Sequence, residues 1–114
     1  MTPQSVTYRV RTASKAAILA HLLACDADYN PTLSQRVDLL EYTSKLSDKA
    51  ATFEAWEGSS LVGLVAAYLN DMERGHGFIT NVSVLQRFAG RGIAKTLLQE
   101  CVDEARRLGM DEID

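Results

Sequence analysis

Hydrophobic and polar positions alternate over residues 6–11, VTYRVR, and this period of two predicts a first strand. Ser14 is placed to cap a helix running to about Cys25, with Ile18, Leu22 and either Leu19 or Leu23 at helical spacing. The segment DADYNP at 26–31 breaks the pattern. Thr32 with Gln35 resembles a capping box, so a second helix is expected to about Leu46, burying Leu33, Val37 and Leu40 along one stripe. ATFEAW at 51–56 alternates again, with Ala51, Phe53 and Ala55 on one face. The turn EGSS and the apolar run LVGLVAAYLN at 61–70 complete a predicted hairpin. A polar loop over 71–77 then leads into FITNVSV at 78–84, where Phe78, Thr80, Val82 and Val84 are expected to share a face.

The strongest helical signal comes next. Ile93, Ala94, Leu97, Leu98, Cys101, Val102, Ala105 and Leu108 make one wide stripe. Arg106 and Arg107 lie in its last turn, where the helix dipole favours cations, and Gly109 is placed for a left-handed cap. DEID at 111–114 reads as the opening of another strand. The order β-α-α-β-β-β-α-β describes a single mixed α/β domain, 1–114, which is expected to be incomplete at its C-terminus.

Composition narrows the function classes. The 114 residues carry 12 basic and 15 acidic side chains, a net charge of −3, which offers no electrostatic case for nucleic acid or an anionic membrane. The longest apolar run, Leu61 to Leu69, falls well short of the ~20 residues that span a bilayer. The first eleven residues contain no apolar segment of the secretory kind, so the expected compartment is the cytoplasm. Cys25 and Cys101 are too few for a disulfide scaffold and lack metal-ligand spacing, so free thiols and no metal are expected.

The candidate chemistry lies between the last full strand and the long helix, in Arg87-Phe88-Ala89-Gly90-Arg91-Gly92-Ile93-Ala94-Lys95. A strand, a glycine turn and a helix N-terminus make an anion site by geometry, because first-turn N–H groups point outward. The same turn can also serve only as a connection. Two familiar phosphate loops do not fit. A P-loop needs four residues between its first Gly and the Gly-Lys pair, and a dinucleotide fingerprint needs a glycine where Lys95 stands.

Arg87-x-x-Gly90-x-Gly92 does resemble the [Gln/Arg]-x-x-Gly-x-[Gly/Ala] signature of the GNAT superfamily of acetyl-coenzyme A-dependent N-acetyltransferases. Val82-Ser83-Val84 before it and Ile93-Ala94-Lys95-Thr96-Leu97-Leu98 after it resemble that family's strand 4 and helix 3, and the element order agrees across essentially the whole chain. The resemblance implies the GNAT fold, a mixed, mostly antiparallel sheet flanked by helices. It implies pyrophosphate on the loop amides from Gly90 through Gly92, Ile93 and Ala94 to Lys95. It further implies pantetheine pairing with the backbone at Val82, Ser83 and Val84. Arg87 and Arg91 either add side-chain contacts or are solvated cations. Gln86 stands where many relatives have proline.

The implied reaction is direct acetyl transfer from the thioester of acetyl-coenzyme A to a primary amine of a small molecule, such as an amino sugar, amino acid or polyamine. An amide near Asn81–Val82 would hold the thioester carbonyl. His76 occupies the position where some relatives place a glutamate base; its alternative is a solvated loop histidine. Glu54, Glu73 and Asp71 are further candidates, and a water chain could replace them. The family's usual tyrosine acid, on a helix after strand 5, has no counterpart. Asp28 and Tyr29, with Asp26 and Asn30, fall in the implied acceptor region, where turn chemistry is the competing explanation. His21 reads as a surface or partly buried helix residue and Trp56 as packing. The missing elements would leave strand 4 with an open edge, so a homodimer or domain-swapped oligomer is expected. The rival function is a non-catalytic coenzyme A-binding module, or half of a composite fold.

Overall fold

The computed structural model describes residues 5–26, 32–71 and 75–114. Its elements are β1 (Thr7–Val10), α1 (Lys15–Cys25), the single turn α2 (Leu33–Arg36), α3 (Leu39–Lys49), β2 (Ala51–Glu57), β3 (Ser60–Tyr68), β4 (His76–Val84), α4 (Ile93–Arg107) and β5 (Glu112–Ile113). The strands form one sheet in the order β1-β2-β3-β4-β5. The first four are antiparallel neighbours and β5 pairs parallel to β4, so the expected mixed, mostly antiparallel sheet is present.

Two apolar layers cover the two faces. On one, α4 packs Ile93, Leu97, Cys101 and Ala105 against Phe53, Ala55, Val62 and Val65. On the other, Ile18 and Leu22 of α1 and Leu46 of α3 pack against Trp56, Leu61, Leu64 and Ala66. β2 is therefore buried on both faces rather than one. Gly63 sets how closely α4 approaches, since a Cβ there would lie 2.8 Å from Ile93 Cγ2 and 3.3 Å from Ala55 Cβ. Any side chain at that position would push the start of α4 off the sheet.

Ser14 caps α1 as expected, its side chain accepting from the Ala17 amide. The single helix expected after residue 32 is instead two. Asp38 has extended backbone and accepts from the Leu40 and Glu41 amides, starting α3 afresh. A side-chain acceptor that satisfies two orphan amides outweighs continuation of the helix. The buried stripe shifts accordingly: Thr43 and Leu46 are buried, whereas Leu40 is 67% exposed. The Leu33 side chain lies outside the described part.

β4 begins at His76 rather than Phe78, because pairing with β5 draws His76 and Gly77 into the sheet. Its register against β3 shifts between Ala66 and Ala67, which leaves Thr80 as the extra residue of a bulge. The bulge turns the strand over. Ile79 and Val84 both reach the α4 side, so Phe78, Thr80, Val82 and Val84 do not share one face as the alternation predicts. A slip of one residue reverses every side chain beyond it.

Candidate active site

The site is built where β4 stops being covered. The Leu85 amide donates to the Val62 carbonyl at 2.9 Å. By antiparallel alternation Ser83 and Asn81 also direct their backbone groups toward β3, while those of Val82 and Val84 point away from it. Before the bulge, the outer edge of β4 is occupied. Ile79 N donates to Asp114 O at 2.7 Å, and Gly77 O accepts from Asp114 N at 3.0 Å. Beyond the bulge, no strand among the described residues pairs with Val82 or Val84 on that side. Two residues thus present unpaired N–H and C=O groups along an open edge.

That edge runs through a short 3₁₀ turn, Gln86–Phe88, into the glycine turn. Gly90 and Gly92 both adopt left-handed backbone, at φ +78° and +77°, and a Cβ at either would meet nothing within 4 Å. Glycine is needed there for conformation, and the space before it is open. Gly92 is the N-cap of α4 and supplies no side-chain acceptor, unlike Ser14 on α1 or Asp38 on α3. The first helical bond is Thr96 N to Gly92 O at 3.0 Å, so the amides of Ile93, Ala94 and Lys95 have no intrahelical acceptor. The first turn holds no acidic residue. Phe88 is fully buried with the Arg87 guanidinium 4.7 Å and the Arg91 guanidinium 5.0 Å from its ring centre. Arg87 also pairs with Glu57 at 3.3 Å. The turn therefore offers outward amides, the positive end of a helix and packed cations, all of which suit an anion.

The sequence matches the acetyltransferase (GNAT) family over residues 16–114. The chain belongs to the GNAT acetyltransferase family. A search of curated proteins found none that matches. Among solved structures, an aminoglycoside acetyltransferase from an uncultured soil metagenomic sample shares 22% identity and a TM-score of 0.69, covering 96% of this chain and 78% of that one. A ribosomal-protein-alanine N-acetyltransferase from Brucella melitensis biovar Abortus 2308 shares 24% identity and a TM-score of 0.67, with 96% and 78% coverage. A GNAT-family acetyltransferase from Streptococcus pneumoniae shares 16% identity and a TM-score of 0.70, with 96% and 75% coverage. At these identities the likeness establishes the fold.

Within the GNAT frame, the structure brings the outward backbone of Val82 and Val84 into line with Gly90, Gly92 and the amides of Ile93, Ala94 and Lys95, with Arg87 and Arg91 on Phe88 beside them. Ser83 is corrected: its backbone faces β3 and its side chain is buried. The structure also separates His76 from this edge. That residue is in a strand, not a loop, and about 20 Å of extended chain lies between it and Val82. Its Nε2 lies 2.5 Å from Asp114 and its Nδ1 3.6 Å from Glu112. These three residues bring their ligand atoms within 4.8 Å of one another, yet Nε2 is already hydrogen-bonded to Asp114, while Glu112 stands beyond hydrogen-bond distance of Nδ1. Glu54 is also corrected. It is fully buried, and its oxygens accept from Thr12 N, Ala13 N, Thr12 Oγ1, Thr52 Oγ1 and Trp56 Nε1, which leaves no lone pair directed at a substrate. Trp56 accordingly bonds as well as packs. Asp26 binds Ser34 through its amide at 2.7 Å and hydroxyl at 2.8 Å, so it ties α1 to α2. The Asp71 carbonyl accepts from the Gly75 amide at 3.1 Å. Asp28, Tyr29, Asn30 and Glu73 lie outside the described residues.

Three residues that pattern reading missed converge on β4 from the opposite face. The Tyr42 hydroxyl of α3 donates to Thr80 O at 2.9 Å, gripping the bulge. Burial, then the nearby Tyr42, raise the Tyr68 hydroxyl above its usual pKa, while a hydrogen bond to Thr80 opposes them. His21, expected at the surface or partly buried, is fully buried against Ser83. The available signal was Asn81 and Ser83, polar residues two apart and alternating with Val82 and Val84, which require inward partners once that face is covered.

Proposed function

We propose that the chain is an acetyl-coenzyme A-dependent N-acetyltransferase whose acceptor is a primary amine of a small molecule. The observation that carries this reading is the run of outward-facing backbone from Val82 and Val84 into the uncapped amides of Ile93, Ala94 and Lys95. An extended pantetheine arm carries amides of its own and would add to the β4 edge as a strand, with its pyrophosphate on the α4 N-terminus. Alternation selects the Val82 amide, not that of Asn81, as the donor to the thioester carbonyl, where negative charge develops during attack. Holding thioester and amine together supplies much of the rest. With Glu54 saturated and His76 remote, the amine proton leaves through water. Aminoglycosides and the alanine of a ribosomal protein, named for two structural likenesses, both bear amines, which supports nitrogen as the acceptor atom.

Calorimetry with acetyl-coenzyme A tests the reading. Gly92→Glu places a bulky anion at the expected phosphate position and strains a left-handed site. Loss of two or three charge-assisted bonds should weaken binding at least about a hundredfold. Circular dichroism must show α4 retained in the variant. No binding to folded wild type rejects the proposal, and equal binding by the two proteins puts the ligand elsewhere. Binding without thiol release across a panel of amines would favour a non-catalytic coenzyme A-binding module.

A further inference from the structure

The outer side of β1 can be read from one hydrogen bond. The Arg11 amide donates to the Thr52 carbonyl at 2.8 Å, so Arg11 turns its backbone toward β2. In an antiparallel ladder that direction alternates, so Arg9 and Thr7, opposite Glu54 and Trp56, face β2 as well. Tyr8 and Val10 therefore aim their N–H and C=O groups away from the sheet, and Val6 continues the alternation. Among the described residues no strand pairs with that side. The side chains divide in the same rhythm. Val6 packs on the α4-side core, and Tyr8 and Val10 stand on that face opposite Ala55 and Phe53, 38% and 40% exposed. Thr7 and Arg9 take the other face, where the Arg9 guanidinium lies 5.8 Å from the centre of the Trp56 ring. Arg11 has left-handed backbone at φ +58°, which ends the strand at Val10.

Prolines and bulges commonly guard an edge against pairing with another chain. Residues 6–10 contain no proline, and the β1–β2 register runs without a shift. The alternation itself limits how a second copy can pair. Antiparallel joining about a two-fold axis needs outward backbone to meet outward backbone, so the axis passes through a residue, not between two. An axis at Arg9 sets Arg9 against its copy, and one at Val10 sets Arg9 against Arg11, like charge on like. An axis at Thr7 sets Val10 against the polar Gln4. An axis at Tyr8 sets Tyr8 against its copy, Val6 against Val10 and Thr7 against Arg9. One face of that joint is wholly apolar, the other opposes no like charges, and the outward amides of Val6, Tyr8 and Val10 all find carbonyls. The copy's Val6 then lies beside Val10, over the apolar floor that Val10 and Phe53 give to the groove between β1 and α4. Pairing over so short a strand covers less than the ~800 Å² per partner of a standard interface, which makes the association weak and reversible.

We propose that β1 is a self-association edge: two copies of the chain join residues 6–10 antiparallel about a two-fold axis at Tyr8, making one continuous sheet. The interface lies across β2 and β3 from β4, so the open edge at Val82 and Val84 stays free for a ligand. The inference is independent of the function proposed above.

Sedimentation equilibrium of the full chain tests it. Wild type should show a reversible monomer–dimer equilibrium at high micromolar concentration. Residue 8 meets its own copy, so Tyr8→Lys and Tyr8→Glu should each weaken association at least about tenfold. An equimolar mixture of the two variants should associate at least about tenfold more tightly than either alone, because lysine then faces glutamate. Circular dichroism should show both variants folded, as expected for an exposed position. Hydrogen exchange on wild type gives a second reading that needs no variant: the Tyr8 and Val10 amides should gain protection as concentration rises. A wild type that stays monomeric at millimolar concentration, or amides indifferent to concentration, overturns the proposal. So does a dimer that both substitutions leave unchanged, or a mixture no tighter than its components. A dimer that dissociates when acetyl-coenzyme A is added places the interface at the β4 edge and equally overturns it.

Discussion

Glu54 on β2 accepts from the backbone amide of Thr12 at 3.0 Å, 42 positions earlier in the chain. Its carboxylate gathers that amide, the Ala13 amide, two threonine hydroxyls and the Trp56 indole, and so fastens the β1–α1 connection to the middle of the sheet. A buried anion with five donors is an anchor. The direction in which α1 leaves β1, and hence the placement of His21 behind β4, depends on it.

Glu54→Ala should therefore destabilise the fold by about 3 kcal/mol or more, since several buried donors lose their acceptor at once. Urea unfolding followed by circular dichroism measures this. A loss below about 1 kcal/mol would show that water replaces the carboxylate.

His76→Ala should leave acetyl-coenzyme A affinity and turnover unchanged. The ring ties β4 to Glu112 and Asp114 and stands away from Val82. The stability cost should stay within about 1 kcal/mol, because all three side chains are substantially exposed. A fall in turnover at unchanged affinity would restore His76 as the base.

Cys25 and Cys101 are free and buried, packed on opposite faces of the sheet. Burial raises the Cys101 thiol to about 11, so at pH 8 it is almost wholly protonated and a poor nucleophile. Cys101 should resist alkylation in the native protein, and denatured protein under non-reducing conditions should titrate two thiols. A count of zero in a monomer would overturn this.

Among the described residues, the buried Oε2 of Glu100 has no hydrogen-bond partner, and burial followed by the nearby Asp103 raises its pKa. A carboxyl with a raised folded pKa binds protons more readily folded than unfolded. Its charge therefore costs stability as pH rises above the ordinary value of 4.5. Glu100→Gln should stabilise the protein at pH 7, by under about 1 kcal/mol, and lose that advantage below pH 4.5. Thermal melts at the two pH values would check it; no gain at pH 7 would count against the burial argument.

Local chemistry was legible in the residues themselves. Ser14 as a cap, the α4 stripe from Ile93 to Ala105 and the left-handed Gly109 follow from short-range sterics and a regular period. The anion turn is of this kind, because a glycine turn and a helix N-terminus adjoin in sequence. Asp38 divided an expected helix by an equally local cap that the apolar stripe does not record. Tertiary structure decided what long-range pairing controls: β5 drew His76 out of its loop, and the Thr80 bulge reversed β4. Glu54 and His21 acquired their roles from partners 40 or more residues away. A titratable side chain becomes an anchor, a strand tie or a base according to which donors and acceptors surround it. Periodicity records only which face a residue takes, whereas those neighbours come from distant strands and helices brought together by packing.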